Sequence, residues 1–431
     1  MGGTYMKLLT YGSRGPQVQF LQLALNRAGC GPVATDGIYG YLTTESVRKF
    51  QQQTGISANG VAGQRTHHAL CPYYTGYITH AVCRGDTFYN LAKRYHTSLH
   101  SIEVANPNLH ASRLRVGTLV TVPLSFPVVP TSILWSSEVL DCVIDGLTAR
   151  YPFLRSRSIG RSVMGKKLYA LSIGCGPRKV LYNATHHANE WITTPILLRF
   201  AEEFSSAYAK EGLLHNIPAA EIFQSTRFIL VPCVNPDGMD LVTGYLTDGT
   251  FFQKSKEIAR RFPNTPFPSG WKANMNGVDL NLQYPAAWEQ AKEIKYAQGY
   301  DCPAPRDYVG TESLTQPENR AMTRLTELFS PDRILAYHTQ GDVIYPNFLD
   351  FNPQGAMPLA WRLAAASGYD VMQTPYESAY AGYKDWFIQT YNRPGYTIEA
   401  GKGTSPLPIE DFDAIYAQNL PILVLTATLD T

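Results

Sequence analysis

Apolar residues near the start of the chain recur at the spacing of amphipathic helices. In the first stretch they lie three or four positions apart, so that they share one face of a helix. Its apolar positions are Val18, Leu21, Leu25 and Ala28. A second stretch follows a glycine-containing turn at 36–40 and carries Val47 and Phe50, and a shorter third stretch ends near Leu70. The pattern predicts a small all-α unit of three helices over residues 6–70.

Residues 77–124 combine two kinds of pattern. A β-prone run at 77–82 opens the segment, and another at 116–123 closes it. Between these runs, apolar positions follow helical spacing twice, and Thr87 and Ser98 stand before the two stretches as suitable N-cap residues. The segment therefore predicts a β-α-α-β unit.

After a proline-containing linker at 125–130, short apolar runs alternate with helical patterns. The runs that predict strands are 179–182, 228–234, 334–337 and 396–398. The stretches that predict helices are 136–150, 194–209, 316–329 and 411–419. About 300 residues of such alternation indicate one α/β domain around a mostly buried sheet. The predicted domains are therefore 1–74, 75–125 and 126–431.

The composition excludes several classes of protein. Hydrophobic residues make up 44% and charged residues 17% of the 431 positions, which is typical of a globular chain and not of a disordered, collagenous or coiled-coil one. No apolar run approaches the roughly 18–20 residues of a membrane span, so we expect none. The first fifteen residues lack the apolar core of a secretory signal peptide.

Charge is distributed unevenly along the chain. Residues 1–124 contain eleven Lys or Arg and four acidic side chains, a formal charge of +7, whereas the remainder carries −5. A basic front half can bind a polyanion such as nucleic acid or an anionic cell wall, or it can simply be a solvated surface. It contains no recognisable nucleic-acid reading motif or aromatic platform, so we expect no nucleic-acid partner.

Three residues in the last segment have the chemistry of a zinc site. His187 and Glu190 lie three positions apart in a turn after an apolar run, and His338 follows another such run. A hydrolytic zinc ion takes about three ligands from His, Glu or Asp and keeps one position open. An isolated HxxE pattern is common by chance, but together the three residues form a candidate site for one Zn²⁺ per chain.

The first two segments resemble known cell-wall-binding modules. Residues 6–70 resemble the three-helix peptidoglycan-binding-like domain through DGIYG at 36–40, VRKFQ at 47–51 and the glycine spacing that follows. Residues 77–124 resemble a LysM domain through GDT, ANP and a final VP. This resemblance implies binding to N-acetylglucosamine-containing glycans, with an unrelated ββ/αα fold as the alternative.

The last segment resembles the zinc carboxypeptidases of the carboxypeptidase A superfamily, which implies a mixed sheet flanked by helices. The motifs that carry the resemblance occur in that family's order: HxxEW at 187–191, NPDG at 235–238, WKAN at 271–274 and GVDLN at 277–281. A lone histidine and a final glutamate, each after a strand, complete the series.

The resemblance implies a role for each matching residue. His187, Glu190 and His338 would be the zinc ligands, and Glu399 would be the general base. Lys272 stands where the family usually has an arginine that stabilises the oxyanion, and it would supply a positive charge there.

Departures from the family pattern concern the substrate. The chain has Asn281 followed by leucine where carboxypeptidases have Asn-Arg, and leucine cannot bind a terminal carboxylate. Tyr376 is a candidate for the family's mobile tyrosine. Lys384 and Arg393 are candidates for pairing with a substrate carboxylate, with ordinary surface charge as the alternative.

The combination of modules resembles the γ-D-glutamyl-L-diamino acid endopeptidase family of spore-forming bacilli. This implies cleavage between γ-D-glutamate and meso-diaminopimelate or L-lysine, with peptidoglycan glycan strands and stem peptides as partners. We expect cell-wall association in the spore or sporulating cell, and a monomer with self-association as the alternative. A metallocarboxypeptidase on free wall peptides and a non-catalytic wall or spore-coat binding protein are the alternative functions.

Overall fold

The computed structural model describes residues 6–430, which form two compact units. The first unit ends at Arg155 and the second begins at Ser156. Among the described residues, no helix has both the length and the apolar character needed to cross a membrane.

The first unit contains three helices followed by a two-stranded sheet with helices between and after its strands. In chain order, its elements are α1 (Pro16–Arg27), α2 (Tyr41–Gln53), α3 (Gln64–Thr75), β1 (Tyr77–Ala81), α4 (Phe88–Arg94), α5 (Leu99–Ala105), β2 (Leu119–Pro123) and α6 (Ser137–Arg150).

Two buried glutamines hold the loops between the first three helices. Gln22 of α1 donates to Asp36 Oδ1 (2.8 Å) and accepts from the backbone of Gly37 (3.0 Å). Gln51 of α2 donates to the carbonyl of Val61 (2.9 Å) and accepts from the backbone N–H of Gly60 (3.0 Å). Because each buried amide has both a donor and an acceptor partner, the loops are fixed without an unpaired polar group. The prediction of three helices is confirmed.

The β-α-α-β prediction is also confirmed. Strands β1 and β2 pair antiparallel, and α4 and α5 lie between them in the chain. Thr87 and Ser98 cap these helices through their side-chain oxygens, as the sequence predicts. Helix α6 follows and packs within the same unit, where Arg150 Nε donates to the carbonyl of Gly76 (3.0 Å). Gly146 permits the close approach of α6 to α3, because a Cβ there would lie 1.9 Å from the carbonyl oxygen of Thr75.

The second unit alternates strands and helices. Its elements up to residue 260 are β3 (Arg155–Arg161), β4 (Lys167–Ile173), β5 (Arg178–Ala184), α7 (Thr193–Ala209), β6 (Leu213–Leu214), β7 (Ile217–Pro218), α8 (Ala219–Ser225), β8 (Thr226–Val231), α9 (Pro236–Val242) and α10 (Gly249–Arg260). The later ones are α11 (Trp288–Ala297), α12 (Pro317–Phe329), β9 (Arg333–His338), β10 (Val343–Tyr345), α13 (Ala356–Ser367), β11 (Asp370–Val371), α14 (Tyr383–Tyr391), β12 (Gly395–Glu399) and α15 (Phe412–Thr428).

Within the described chain, eight of these strands form one sheet in the order β11-β10-β12-β9-β5-β8-β4-β3. The central strands β8, β5, β9 and β12 are parallel, whereas β4 and β10 pair antiparallel with their neighbours. The sheet is therefore mixed, with a parallel centre.

Helices cover both faces of this sheet. Successive residues of a strand point to opposite faces. On one face, Tyr182 and Phe228 pack against Phe200 of α7. On the other, Leu181 belongs to an apolar cluster that includes Trp386 of α14. The predicted α/β domain with a mixed sheet between helices is confirmed.

Candidate metal centre and catalytic site

The candidate site lies where the central parallel strands end. Strand β5 ends at Ala184 and leads into His187 and a 3₁₀ turn that contains Glu190. His338 is the last residue of β9, and Glu399 is the last residue of β12. Glu399 and His338 are paired in the register of the two strands. Because parallel strands end at the same edge of a sheet, groups far apart in sequence meet here.

Two histidines and one glutamate converge at this edge. His187 Nδ1 lies 3.0 Å from Glu190 Oε1, and His338 Nδ1 lies 2.9 Å from Glu190 Oε2. The two Nδ1 atoms are 3.2 Å apart. The ligand atoms of the three residues all lie within 4.8 Å of one another.

The donor set fits a zinc ion. Two imidazole nitrogens and one carboxylate are the ligands of many hydrolytic zinc sites, and they leave one position open. The Nδ1 atoms face each other at a distance at which two neutral imidazoles cannot both offer lone pairs without repulsion, which a cation between them relieves. Without a metal, a proton on His187 relieves the repulsion instead, because the carboxylates of Glu190 and Asp279 stabilise the charged ring despite its burial.

The rings are oriented by neighbouring groups. His187 Nε2 lies 3.1 Å from Asp279 Oδ1, which is the carboxylate–histidine arrangement found behind metal-binding imidazoles. His186, the adjacent histidine, instead points to Tyr284 Oη (2.9 Å) and is fully buried, so it is turned away from the cluster.

Electrostatic effects at this edge oppose one another. Burial alone would lower the pKa of His187, but the carboxylates of Glu190 and Asp279 outweigh burial and raise the pKa to about 9. Burial would raise the pKa of Glu190, yet the positive charges of His187 and Lys272 hold that pKa well below its usual value. The site therefore favours a charged carboxylate next to cationic partners.

Lys272 and Glu399 both belong to this edge. Lys272 Nζ donates to Glu190 Oε1 (3.0 Å), so its ammonium lies at the metal cluster. Burial and the negative charge of Glu190 raise the pKa of Glu399 to about 8, whereas Lys272 and His187 act in the opposite direction. The charges of His187, Glu190, Lys272 and Glu399 therefore influence one another.

Asn281 lies near the site, and the residue that follows it in the chain is apolar. Asn281 follows Asp279 in a 3₁₀ turn, and its Oδ1 accepts from the backbone of Tyr383 (3.1 Å). The next residue, Leu282, is buried in an apolar cluster. Tyr376 is 63% exposed, and its hydroxyl is 3.3 Å from Gln290 Nε2.

Two residues that the sequence suggested for substrate binding lie elsewhere or are already engaged. Lys384 is 4% exposed, and its ammonium contacts the carboxylate of Asp385 and the carbonyl of Asn347, so it is not available to a substrate. Arg393 precedes β12, at the end of the strand opposite Glu399, and donates to the carbonyl of Pro331 (2.8 Å). Arg393 precedes Glu399 by six residues of extended chain, so the two lie roughly 20 Å apart, too far for Arg393 to reach the cluster.

Sequence reasoning missed one cation at this edge. Arg306 lies next to Asp307, whose backbone N–H donates to Asp279 Oδ2 (3.2 Å). Burial alone would lower the pKa of Arg306, but the carboxylates of Asp307 and Asp279 raise it. The residue follows no strand and matches no motif considered above, so periodicity and spacing give no signal for it.

Comparison with known families identifies the second unit. A zinc carboxypeptidase family model matches residues 140–421, about two thirds of the chain. The chain belongs to the zinc carboxypeptidase family. It is accordingly a zinc metallopeptidase. Models of a peptidoglycan binding domain and of a LysM domain match residues 14–70 and 80–123. These two modules associate this family member with peptidoglycan.

Individual relatives agree with this assignment. Gamma-D-glutamyl-L-diamino acid endopeptidase 1 of Lysinibacillus sphaericus is 42% identical over 281 residues, which cover 65% of this chain and 69% of that protein. The human carboxypeptidase N catalytic chain is 27% identical over 206 residues, 45% of this chain and 39% of that protein. Bovine thrombin-activatable fibrinolysis inhibitor shares the fold, with a TM-score of 0.53 at 17% identity over 69% of this chain and 97% of that chain.

Proposed function

We propose that the protein is a zinc-dependent peptidoglycan endopeptidase that hydrolyses the bond between γ-D-glutamate and the diamino acid of stem peptides. The diamino acid is meso-diaminopimelate or L-lysine. The observation that carries the proposal is the buried cluster of His187, Glu190 and His338, with Glu399 and Lys272 at the same edge. The name of the 42% identical relative and the two N-terminal modules support this substrate.

Each residue of the cluster has one task under this proposal. His187, Glu190 and His338 hold one zinc ion per chain. When bound, the ion polarises a carbonyl group and lowers the pKa of water to about 7. Glu399 accepts a proton from the water that attacks the scissile carbonyl and later donates it to the leaving amino group. Lys272 donates to the carbonyl oxygen as negative charge develops there.

The surroundings of Asn281 favour cleavage within a peptide. Leu282 puts an apolar side chain where the family has an arginine, so a terminal carboxylate finds no charged partner at this position. Asn281 uses Oδ1 for the backbone of Tyr383, which leaves its Nδ2 group as the donor that it offers a substrate. Tyr376, with its exposed ring, is proposed to contact the substrate as well.

The two N-terminal modules supply the location of the reaction. Modules of the peptidoglycan-binding and LysM types hold the catalytic unit on glycan strands, which raises the effective concentration of stem peptides. We place the activity at the wall of the spore or sporulating cell, with the protein acting as a monomer.

Digestion of purified muropeptides tests the proposal. The full chain is incubated with and without a chelator, beside Glu399→Gln and a control, Glu410→Gln, which changes an exposed glutamate. Mass spectrometry is expected to detect products whose diamino acid has a free α-amino group, lost with the chelator and with Glu399→Gln but kept with Glu410→Gln.

Two other outcomes would overturn the proposal. Release of C-terminal residues alone would identify a carboxypeptidase acting on free wall peptides. A zinc-loaded protein that binds sacculi and yields no product would be a non-catalytic wall-binding protein.

A further inference from the structure

Backbone hydrogen bonds join the segment around Arg306 to residues that contact the His187–Glu190–His338 cluster. The N–H groups of Lys272 and Ala273 both donate to the carbonyl of Pro305, at 2.8 and 2.9 Å. On the other side of Arg306, the N–H of Asp307 donates to Asp279 Oδ2 (3.2 Å). Arg306 is therefore anchored between Lys272 and the carboxylate that contacts His187.

The side chain of Arg306 is held in one orientation. Its Nε donates to Asp307 Oδ2 (2.6 Å), and the other oxygen of Asp307 is ion-paired with Lys295 (2.7 Å). The Arg306 side chain is 40% exposed. Within residues 6–430, its two terminal nitrogens donate no hydrogen bond. A planar fork of donors is thus presented to solvent beside the cluster, with its orientation fixed in advance.

A fixed, partly exposed guanidinium is suited to a carboxylate ligand. Arginine binds carboxylates through two parallel hydrogen bonds, which gives orientation as well as affinity. The chain has leucine at 282, and Lys384 and Arg393 are engaged elsewhere. Arg306 supplies the charge that these positions do not.

We propose that Arg306 binds the α-carboxylate of the γ-linked D-glutamyl residue of the substrate. This inference rests on the function proposed above. The γ-carbonyl that is attacked belongs to the same glutamyl residue, so its α-carboxylate lies on the acyl side of the scissile bond. Lys272, assigned to the carbonyl oxygen, is joined to the Arg306 segment by the hydrogen bond to Pro305. One residue of the substrate thus meets two adjacent cations.

Three peptides of equal length separate the carboxylates. One is L-Ala-γ-D-Glu-diaminopimelate, the second carries a carboxamide at the α-carbon of D-Glu, and the third carries carboxamides on the diamino acid. The zinc-loaded full chain is assayed beside Arg306→Gln, Arg306→Lys and Arg261→Gln. Arg261 donates to the carbonyl of Pro303 in the same loop, so it controls for loop disturbance. Zinc content and thermal unfolding are measured for each variant.

The unmodified peptide is expected to have a kcat/KM about 10- to 100-fold above that of the Glu-carboxamide peptide, the range of one charge-assisted contact. Arg306→Gln is expected to remove this preference by loss on the unmodified peptide alone. Arg306→Lys should keep part of the preference, and Arg261→Gln should keep all of it.

Several results would overturn the inference while the proposed function stands. These are equal cleavage of the first two peptides by the unaltered protein, an equal loss on both in Arg306→Gln, or sensitivity only to amidation of the diamino acid. If the unaltered protein cleaves none of the peptides, the proposed function fails, and this inference fails with it.

Discussion

The two ends of the parallel strands β5, β9 and β12 both carry charged side chains, but with different partners. Arg178 and Arg333 begin β5 and β9, and Arg393 lies two residues before β12. The carboxyl ends carry or adjoin Glu399 and the candidate metal-binding cluster of His187, Glu190 and His338.

At the amino ends, the arginines bind mainly backbone carbonyl groups, although Arg178 also pairs with the carboxylate of Asp430. Arg333 Nη1 donates to the carbonyls of Thr426 (2.8 Å) and Leu429 (2.6 Å), and Arg178 Nη1 donates to that of Ala427 (2.7 Å). These carbonyls lie at the end of α15, where a helix lacks hydrogen-bond partners and carries partial negative charge. Arg178 and Arg333 thus satisfy carbonyls at the end of α15, whereas Arg393 donates to the carbonyls of Ser330 and Pro331 after α12. We infer a structural role for these arginines.

At the carboxyl ends, charged groups face one another instead. Glu190 contacts His187, His338 and Lys272, and the negative charge of Glu190 contributes to the raised pKa of Glu399. Interacting titratable groups with strongly shifted pKa values are concentrated at functional sites of proteins. We therefore infer that the partners of a charged side chain at a strand end decide whether its role is functional or structural. The following experiments test this inference.

Glu399→Gln is expected to give the largest effect on activity. Loss of the proton acceptor should lower kcat about 10²- to 10⁴-fold, while zinc content, measured by atomic absorption, stays at the level of the unaltered protein. Arg393→Gln, near the opposite end of the same strand, should change kcat by less than about twofold. A comparable loss of kcat in Arg393→Gln would erase the distinction between the two ends.

Arg333→Gln should lower stability and leave kcat unchanged, the opposite of Glu399→Gln. The change leaves two carbonyls of α15 without their charged donor and should lower the free energy of unfolding by about 2–3 kcal/mol, measured by urea denaturation. The kcat of the folded protein is expected to remain unchanged. If stability does not fall, the arginines at the amino ends do not have the structural role inferred above.

Asp279→Asn tests the support behind His187. The variant keeps the shape of the side chain but weakens the contact with Nε2, so zinc affinity should fall about 10- to 100-fold in a chelator competition assay. Asp301→Asn, an exposed change in the same part of the chain, serves as the control. Unaltered affinity in Asp279→Asn would show that the ring is oriented by other contacts.

Glu318 on helix α12 is a buried carboxyl outside the candidate metal site, so it shows the effect of burial alone on a carboxyl pKa. Burial raises the pKa of Glu318 from 4.5 to about 7. Because the folded state holds the proton more tightly, the contribution to stability is present below pH 4.5 and is lost as the pH rises through about 7.

The free energy of unfolding of Glu318→Gln, relative to that of the unaltered protein, should therefore rise by about 2–3 kcal/mol between pH 5 and pH 8. Urea unfolding at both pH values measures the difference, and Glu312→Gln, at an exposed glutamate of the same region, should show none. A pH-independent difference for Glu318→Gln would contradict the raised pKa.

The sequence by itself determined the features that depend on local patterns. Helical spacing and N-caps such as Thr87 are properties of a few neighbouring residues, so the three helices and the β-α-α-β unit were predictable. His338 and Glu399 each follow an apolar run, and parallel strands bring their ends together. The candidate metal cluster was therefore visible before the fold was known.

Only the tertiary structure decided which charged side chain meets which partner. Arg393 and Lys384 were candidates for substrate binding, yet the first meets Pro331 and the second is buried against Asp385. Arg306, which no pattern marks, is joined through Asp307 to Asp279, 28 positions away. Long side chains bind the nearest complementary group, and that group is fixed by loops and strand ends distant in sequence.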